Sequence, residues 1–188
     1  MGKKLAEMTI KELWQLFPIC LTEHQAGWHK QYEDEAQRLQ KALAGMPMVR
    51  LSHIGSTAVP TIWAKPIVDM MLEVPFEKKL RDYADILVAH GYSWMSHDNM
   101  RISLNKGYTE EGFAQEVFHL HLRYKGDNDE LYFRDYLLAH PDVAKAYEAL
   151  KLTLGKIYKY NRNGYTEAKT EFIKQYTKLA KQEYKGRY

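Results

Sequence analysis

The chain has 188 residues, enough for one domain with a real core, or one with a helical appendage. Its 45% hydrophobic and 27% charged residues are ordinary for a globular protein, and a net charge of +3 is too small to argue for a nucleic-acid partner. Cys20 is the single cysteine, which excludes an internal disulfide; no long apolar stretch follows Lys3 and Lys4, so no signal peptide or membrane span is read and a cytoplasmic location is expected.

Thr9-Ile10-Lys11-Glu12 is a capping box and predicts a short helix ending before Pro18. Thr22 to Gln25 repeats the pattern and predicts an amphipathic helix to about Ala44, with Trp28, Tyr32, Ala36, Leu39 and Leu43 on its core face. Val49 to Ile54 reads as a strand, Gly55-Ser56-Thr57 as a sharp turn, and Ile67 to Glu73 as a second strand. That second run is apolar enough to be buried on both faces. Glu77 to His90 predicts a helix closed by Gly91, and Tyr92 to His97 a strand. From Arg101 the alternation puts Arg101, Ser103 and Asn105 on one strand face, and Gly107 to Glu116 reads as a polar hairpin loop. Val117 to Tyr124 alternates cleanly, with Phe118, Leu120 and Leu122 toward a core and His119, His121 and Arg123 on the other face.

From Asp129 the pattern is helical: Glu130 to Ala139, then a helix framed by Pro141 and Lys151. A turn follows at Asn161 to Gly164, and Thr166 is the candidate N-cap of a last helix to about Gln182. The 14 tyrosines are scattered as helix-packing residues. The fold class is α+β. Residues 1–127 hold a mixed or antiparallel sheet with helices on one face, and 128–188 a helical part, within one domain.

Asp69 stands in the apolar second strand, where an unpaired carboxylate is costly. Strand parity puts Asp69, Met71 and Glu73 on one face. A Gly-Ser turn followed about a dozen residues on by an Asp suits a phosphate and a metal. Gly55 lets backbone N–H groups approach a phosphate, Ser56 adds a donor, and Asp69 offers a hard oxygen to a divalent cation. The same residues also make an ordinary tight turn with a hydrogen-bonded Asp. His119, His121 and Arg123 equally suit the wet side of a sheet. No Walker loop, dinucleotide fingerprint or HExxH is present, and Gly55-Ser56-Thr57 lacks the flanks of a nucleophile elbow.

The run His53-Ile54-Gly55-Ser56-Thr57-Ala58-Val59-Pro60, with Ala64-Lys65-Pro66-Ile67-Val68-Asp69, resembles the signature of the GrpB family. His119-Leu120-His121, Phe133-Arg134-Asp135-Tyr136-Leu137 with His140-Pro141, and Tyr165 with Lys169 fit as well. The resemblance runs from about Trp28 to Ile173. It implies a divergent nucleotidyltransferase fold, with Gly55, Ser56 and Thr57 holding a phosphate and Asp69 a divalent metal. Active members of that superfold carry a second acid two residues after the first; here that residue is Met71. Glu73 lies roughly 13 Å along the strand from Asp69, too far to share its metal. His119 and His121 lie where a third acid would, giving an Asp-plus-His ligand set that suits Mn²⁺ or Zn²⁺ better than Mg²⁺. Lys65, Arg101 and Arg123 would add positive charge, and Lys151, Tyr165 and Lys169, which match family positions, would close over the phosphates. The expected partner is a nucleotide or other phosphorylated small molecule. Nucleotidyl or phosphoryl transfer is the leading reading, with a non-catalytic binding module and a structural or partner-binding domain as rivals.

Overall fold

The computed structural model describes residues 3–188. Thr9 and Glu12 cap each other as their spacing requires. The Glu12 N–H donates to Thr9 Oγ1 at 3.3 Å and the Thr9 N–H to Glu12 Oε2 at 2.6 Å, opening α1 (Ile10–Leu16). Thr22 does not cap the next helix. Its backbone pairs with Ala64 in an isolated bridge, at 2.9 and 3.0 Å, and this extended pairing delays α2 (Gly27–Ala42) to a start after Ala26.

The five strands are β1 (Arg50–Ile54), β2 (Val68–Val74), β3 (Ser93–His97), β4 (Arg101–Thr109) and β5 (Gly112–Tyr124), in the order β1-β2-β5-β4-β3. Only β2 and β5 run parallel, with Asp69 opposite His119 and Met71 opposite His121. A parallel pair needs a crossover connection, and α3 (Leu80–Ala89) with the β3–β4 hairpin supplies it.

One sheet face is the main core. Met70 and Leu72 of β2, Phe118 and Leu120 of β5 and Leu104 of β4 pack with Trp28 and Leu39 of α2 and Tyr83 and Leu87 of α3. Full burial of such a side chain contributes roughly 1.5–3 kcal/mol. The other face carries Asp69, His119 and His121 and looks toward α4 (Asp129–Ala139), α5 (Pro141–Ile157), α6 (Arg162–Glu167) and α7 (Thr170–Glu183). None of the described helices is long and apolar enough to cross a membrane.

Two expectations are corrected here. Gly107 to Glu116 is not a loop: β4 runs to Thr109 and β5 starts at Gly112, leaving Glu110 and Glu111 as the turn. The alternation was hidden by a register shift between Lys106 and Tyr108. Gly107 sits there at φ 89, where a Cβ would lie 2.2 Å from the Glu116 carbonyl oxygen. The irregularity changes faces. The Lys106 ammonium reaches Glu35 on α2 at 2.8 Å, whereas the Tyr108 hydroxyl reaches His119 on the polar face. At the C-terminal end, Asn161 opens α6, its Oδ1 accepting from the Gly164 N–H at 3.0 Å. Thr166 therefore lies inside α6, and α7 starts after Lys169.

Candidate functional site

A cleft of about 1030 Å³ opens between the polar sheet face and the helices α4–α7. Gly55, Ser56, Thr57, Lys65, Asp69 and Arg101 line it from the sheet side, and Lys151, Tyr165 and Lys169 from the helices. Gly55 takes φ 70 and ψ −170 at the end of β1. A Cβ on it would sit 2.5 Å from Asp69 Oδ2, so only glycine lets the turn close over that carboxylate. Thr57 is buried at the edge of the cleft, its Oγ1 2.9 Å from His53 Nε2.

Asp69 and both histidines meet on this face. One ligand atom from each of Asp69, His119 and His121 lies within 4.8 Å of the others. His119 Nδ1 is 3.1 Å from Asp69 Oδ1, and His121 Nε2 is 3.9 Å from the same oxygen. The outer nitrogen of each ring faces a hydroxyl: Tyr108 Oη lies 2.8 Å from His119 Nε2, and Ser103 Oγ 3.0 Å from His121 Nδ1. Donor-only guanidinium groups face the same two nitrogens, Arg162 at 3.5 Å and Arg123 at 3.4 Å. Donors crowd those outer nitrogens, an arrangement that favours the His119 ring proton on Nδ1, toward Asp69. Burial alone would raise the Asp69 pKa; the hydrogen bond with His119 and the nearby His121 imidazole outweigh it and hold the carboxyl well below the usual range. Burial brings His119 down to about 4 against the pull of Asp69, so its ring is neutral.

Beyond this cluster the cleft lining is rich in basic groups. The Lys151 ammonium donates to Ser56 Oγ at 2.9 Å and to the Trp63 carbonyl. Lys65 and Lys169 both lie over the Tyr165 ring, at 5.6 and 4.3 Å from its centroid. Among the described residues no carboxylate forms a salt bridge with Lys65, Lys151, Lys169 or Arg162. Burial first, then repulsion from Lys169 and Arg162, lowers Lys65 to about 7. Burial and Lys169 bring Lys151 to about 7, and burial, with Arg162 adding to it, brings Lys169 to about 8.

Arg123 is a correction. Its guanidinium donates to the carbonyls of Ile102 and Leu122 and to Glu130 Oε1, and the residue is only 5% exposed. It is absent from the cleft lining. A planar group with five donors serves the carbonyls and the carboxylate packed around it before it can serve a ligand. Arg101 lines the cleft but is already held by both oxygens of Asp127, at 2.7 and 2.5 Å. The position of the second acid is closed: Met71 is fully buried with Ile54, Leu131 and Tyr188. Glu73 is spent on Asn128, Gly126 and Arg50. Two residues of the site escaped the sequence reading. Tyr108 was hidden by the Gly107 irregularity, and Arg162 lies in what reads as a turn.

The family model described as GrpB protein matches residues 18–179. The chain belongs to the GrpB family. The UPF0157 protein YqkA of Bacillus subtilis is 31% identical over 190 residues, which is 98% of this chain but 54% of that protein, so the chain spans about half the length of this relative. The crystal structure of the conserved protein GrpB from Enterococcus faecalis superimposes with a TM-score of 0.74 at 29% identity, covering 88% of this chain and 99% of that one. Cid1 poly(U) polymerase with MgGTP bound aligns at a TM-score of 0.50 and 11% identity, over 79% of this chain and 46% of that chain. At that identity the likeness concerns the fold alone, which is nucleotidyltransferase-like. In this GrpB chain the sheet of that fold carries one acid and two imidazoles on the face that lines the cleft.

Proposed function

We propose that the cleft binds a nucleotide or another phosphorylated small molecule together with a divalent cation. The observation that carries this reading is the convergence of Lys65, Lys151, Lys169 and Arg162, none paired with a carboxylate among the described residues, around one metal-competent cluster. Cations crowded into a partly buried cleft are costly unless an anion joins them, and phosphate oxygens can serve both these cations and a metal. Ser56 Oγ accepts from Lys151, and its hydroxyl, which lines the cleft, is a donor for a phosphate oxygen.

The donor set fits a cation of the Mn²⁺ or Zn²⁺ kind: one carboxylate oxygen and two imidazole nitrogens, each ring held from behind by a hydroxyl. Such a cation supplies charge to the phosphate oxygens in transfer of a nucleotidyl or phosphoryl group. Lys65 and Lys169 would then orient the phosphates, and Asp69 would hold the metal.

Met71 favours a second reading, a module that binds this ligand without transferring it. The site has one sheet carboxylate where transfer through two metals needs more, and Met71 is sealed under Leu131 and Tyr188. Thermal shift of the purified protein against nucleotides with Mg²⁺, Mn²⁺ and Zn²⁺ tests the binding, because a ligand of the folded state raises the melting temperature. Asp69→Asn keeps the volume and removes the charge; it should melt as a folded protein and lose the metal-dependent part of the shift. A shift equal to the parent's removes Asp69 from the site. Release of pyrophosphate from the bound nucleotide separates transfer from binding.

A further inference from the structure

Each imidazole of the Asp69 cluster uses one nitrogen toward the carboxylate and the other toward a hydroxyl. A neutral imidazole carries one ring proton. With no metal, the donors around the outer nitrogens, Tyr108, Ser103 and the two guanidinium groups, favour ring protons on the inner nitrogens, toward Asp69. A metal held by His119 Nδ1 and His121 Nε2 needs lone pairs at those atoms. Each ring then stays neutral only by carrying its proton on the outer nitrogen, which must find an acceptor. A guanidinium cannot accept; a hydroxyl can donate in one state and accept in the other.

We infer that Tyr108 and Ser103 are positioning residues of this metal site, hydroxyls that exchange donor for acceptor as a cation takes the place of the two inner ring protons. The inference rests on the metal reading above. The proton balance closes on each ring: one leaves His119 Nδ1 and one arrives at Nε2, where Tyr108 Oη accepts it. The same exchange moves the proton of His121 from Nε2 to Nδ1, toward Ser103 Oγ. Arg162 and Arg123 face the same outer nitrogens as fixed donors, so they hold the metal-free tautomers and weaken metal binding.

The fold builds this arrangement deliberately at Tyr108. Without the irregularity at Gly107, alternation would place Tyr108 on the same side as Lys106, against the α2 core. It lies instead on His119, with ring centroids 5.9 Å apart and planes at 19°. Ser103 reaches His121 by plain strand register, as the residue directly opposite it.

The test is titration of the full chain with Zn²⁺ and Mn²⁺ by calorimetry, beside nitrogen NMR of the histidine rings. Tyr108→Phe and Ser103→Ala should each raise the metal Kd by roughly 10- to 100-fold, the usual cost of losing an outer partner of a ligating histidine. Ser103→Thr keeps a hydroxyl and should keep the affinity. In the Zn²⁺-loaded parent, His119 should carry its proton on Nε2 and His121 on Nδ1, the reverse of the metal-free protein. Parent-like affinity in Tyr108→Phe and Ser103→Ala overturns the inference alone, as does a loaded parent that keeps its proton on His119 Nδ1. A parent that binds neither metal overturns the metal reading and this inference with it. If Tyr108→Phe fails to melt as a folded protein, the Ser103 pair and the parent's ring tautomers decide.

Discussion

A polyphosphate entering the cleft has to recharge its lysines. In the free protein Lys65 and Lys151 lie at about 7 and Lys169 at about 8, so near pH 8 the first two are mostly neutral and the third about half so. Anionic oxygens beside them restore values near the ordinary lysine value of about 10.4, and binding then takes up roughly two to three protons. Each proton taken up makes affinity fall about tenfold per pH unit as pH rises. The ligand's own titration ends below this range, since the last phosphate pKa is about 6. Metal-free ATP should therefore bind with a Kd that rises roughly 100-fold or more per pH unit between pH 7.5 and 8.5. Its calorimetric heat should differ between Tris and HEPES in the direction of proton uptake. A Kd flat across this range, with a heat independent of buffer, would refute the view that these lysines face the phosphates. The same shifts set the sign for the free protein. Their folded values lie below the unfolded one, so their stabilising contribution is fully present above about 10.4 and is lost as pH falls through about 8 to 7.

Three substitutions extend the reasoning. Ser56→Ala should leave the melting temperature nearly unchanged and weaken binding of a phosphorylated ligand by roughly 1–2 kcal/mol, the scale of one hydrogen bond to a charged group; unchanged affinity in calorimetry removes Ser56 from the site. Gly55→Ala forces a side chain into φ 70 and against Asp69 Oδ2, so urea unfolding should reveal about 1–3 kcal/mol of lost stability, with metal binding impaired beyond that. Arg123→Gln strands Glu130 and the carbonyls of Ile102 and Leu122; it should cost about 1–3 kcal/mol in urea and leave ATP affinity unchanged at every salt concentration, whereas a loss greatest at low salt would return Arg123 to the ligand.

Local periodicity and turn chemistry made much of this protein readable before any coordinates. The period-2 alternation of Val117 to Tyr124 already put His119 and His121 on one face, because a strand has only two faces. The apolar run around Asp69 marked a strand buried on both sides, and the Gly55-Ser56 turn marked a close approach, since few residues but glycine take that backbone. Short-range signals end where the chain breaks its own period. Gly107 shifts the register, so Tyr108 reads as loop although it lies in β4 against His119. Thr22 and Thr166 have the composition of caps, but a bridge to Ala64 and the run of α6 claim their backbones first. The role of Arg123 depends on which carbonyls and carboxylates the sheet end brings near it, and alternation can give only its face. The union of Lys151 with Ser56, 95 residues apart, and of Arg162 with His119, 43 apart, comes from helices folding back over the sheet. Burial and mutual repulsion of those cations exist only once the helices are in place, and so the charge of the cleft is a property of the tertiary structure.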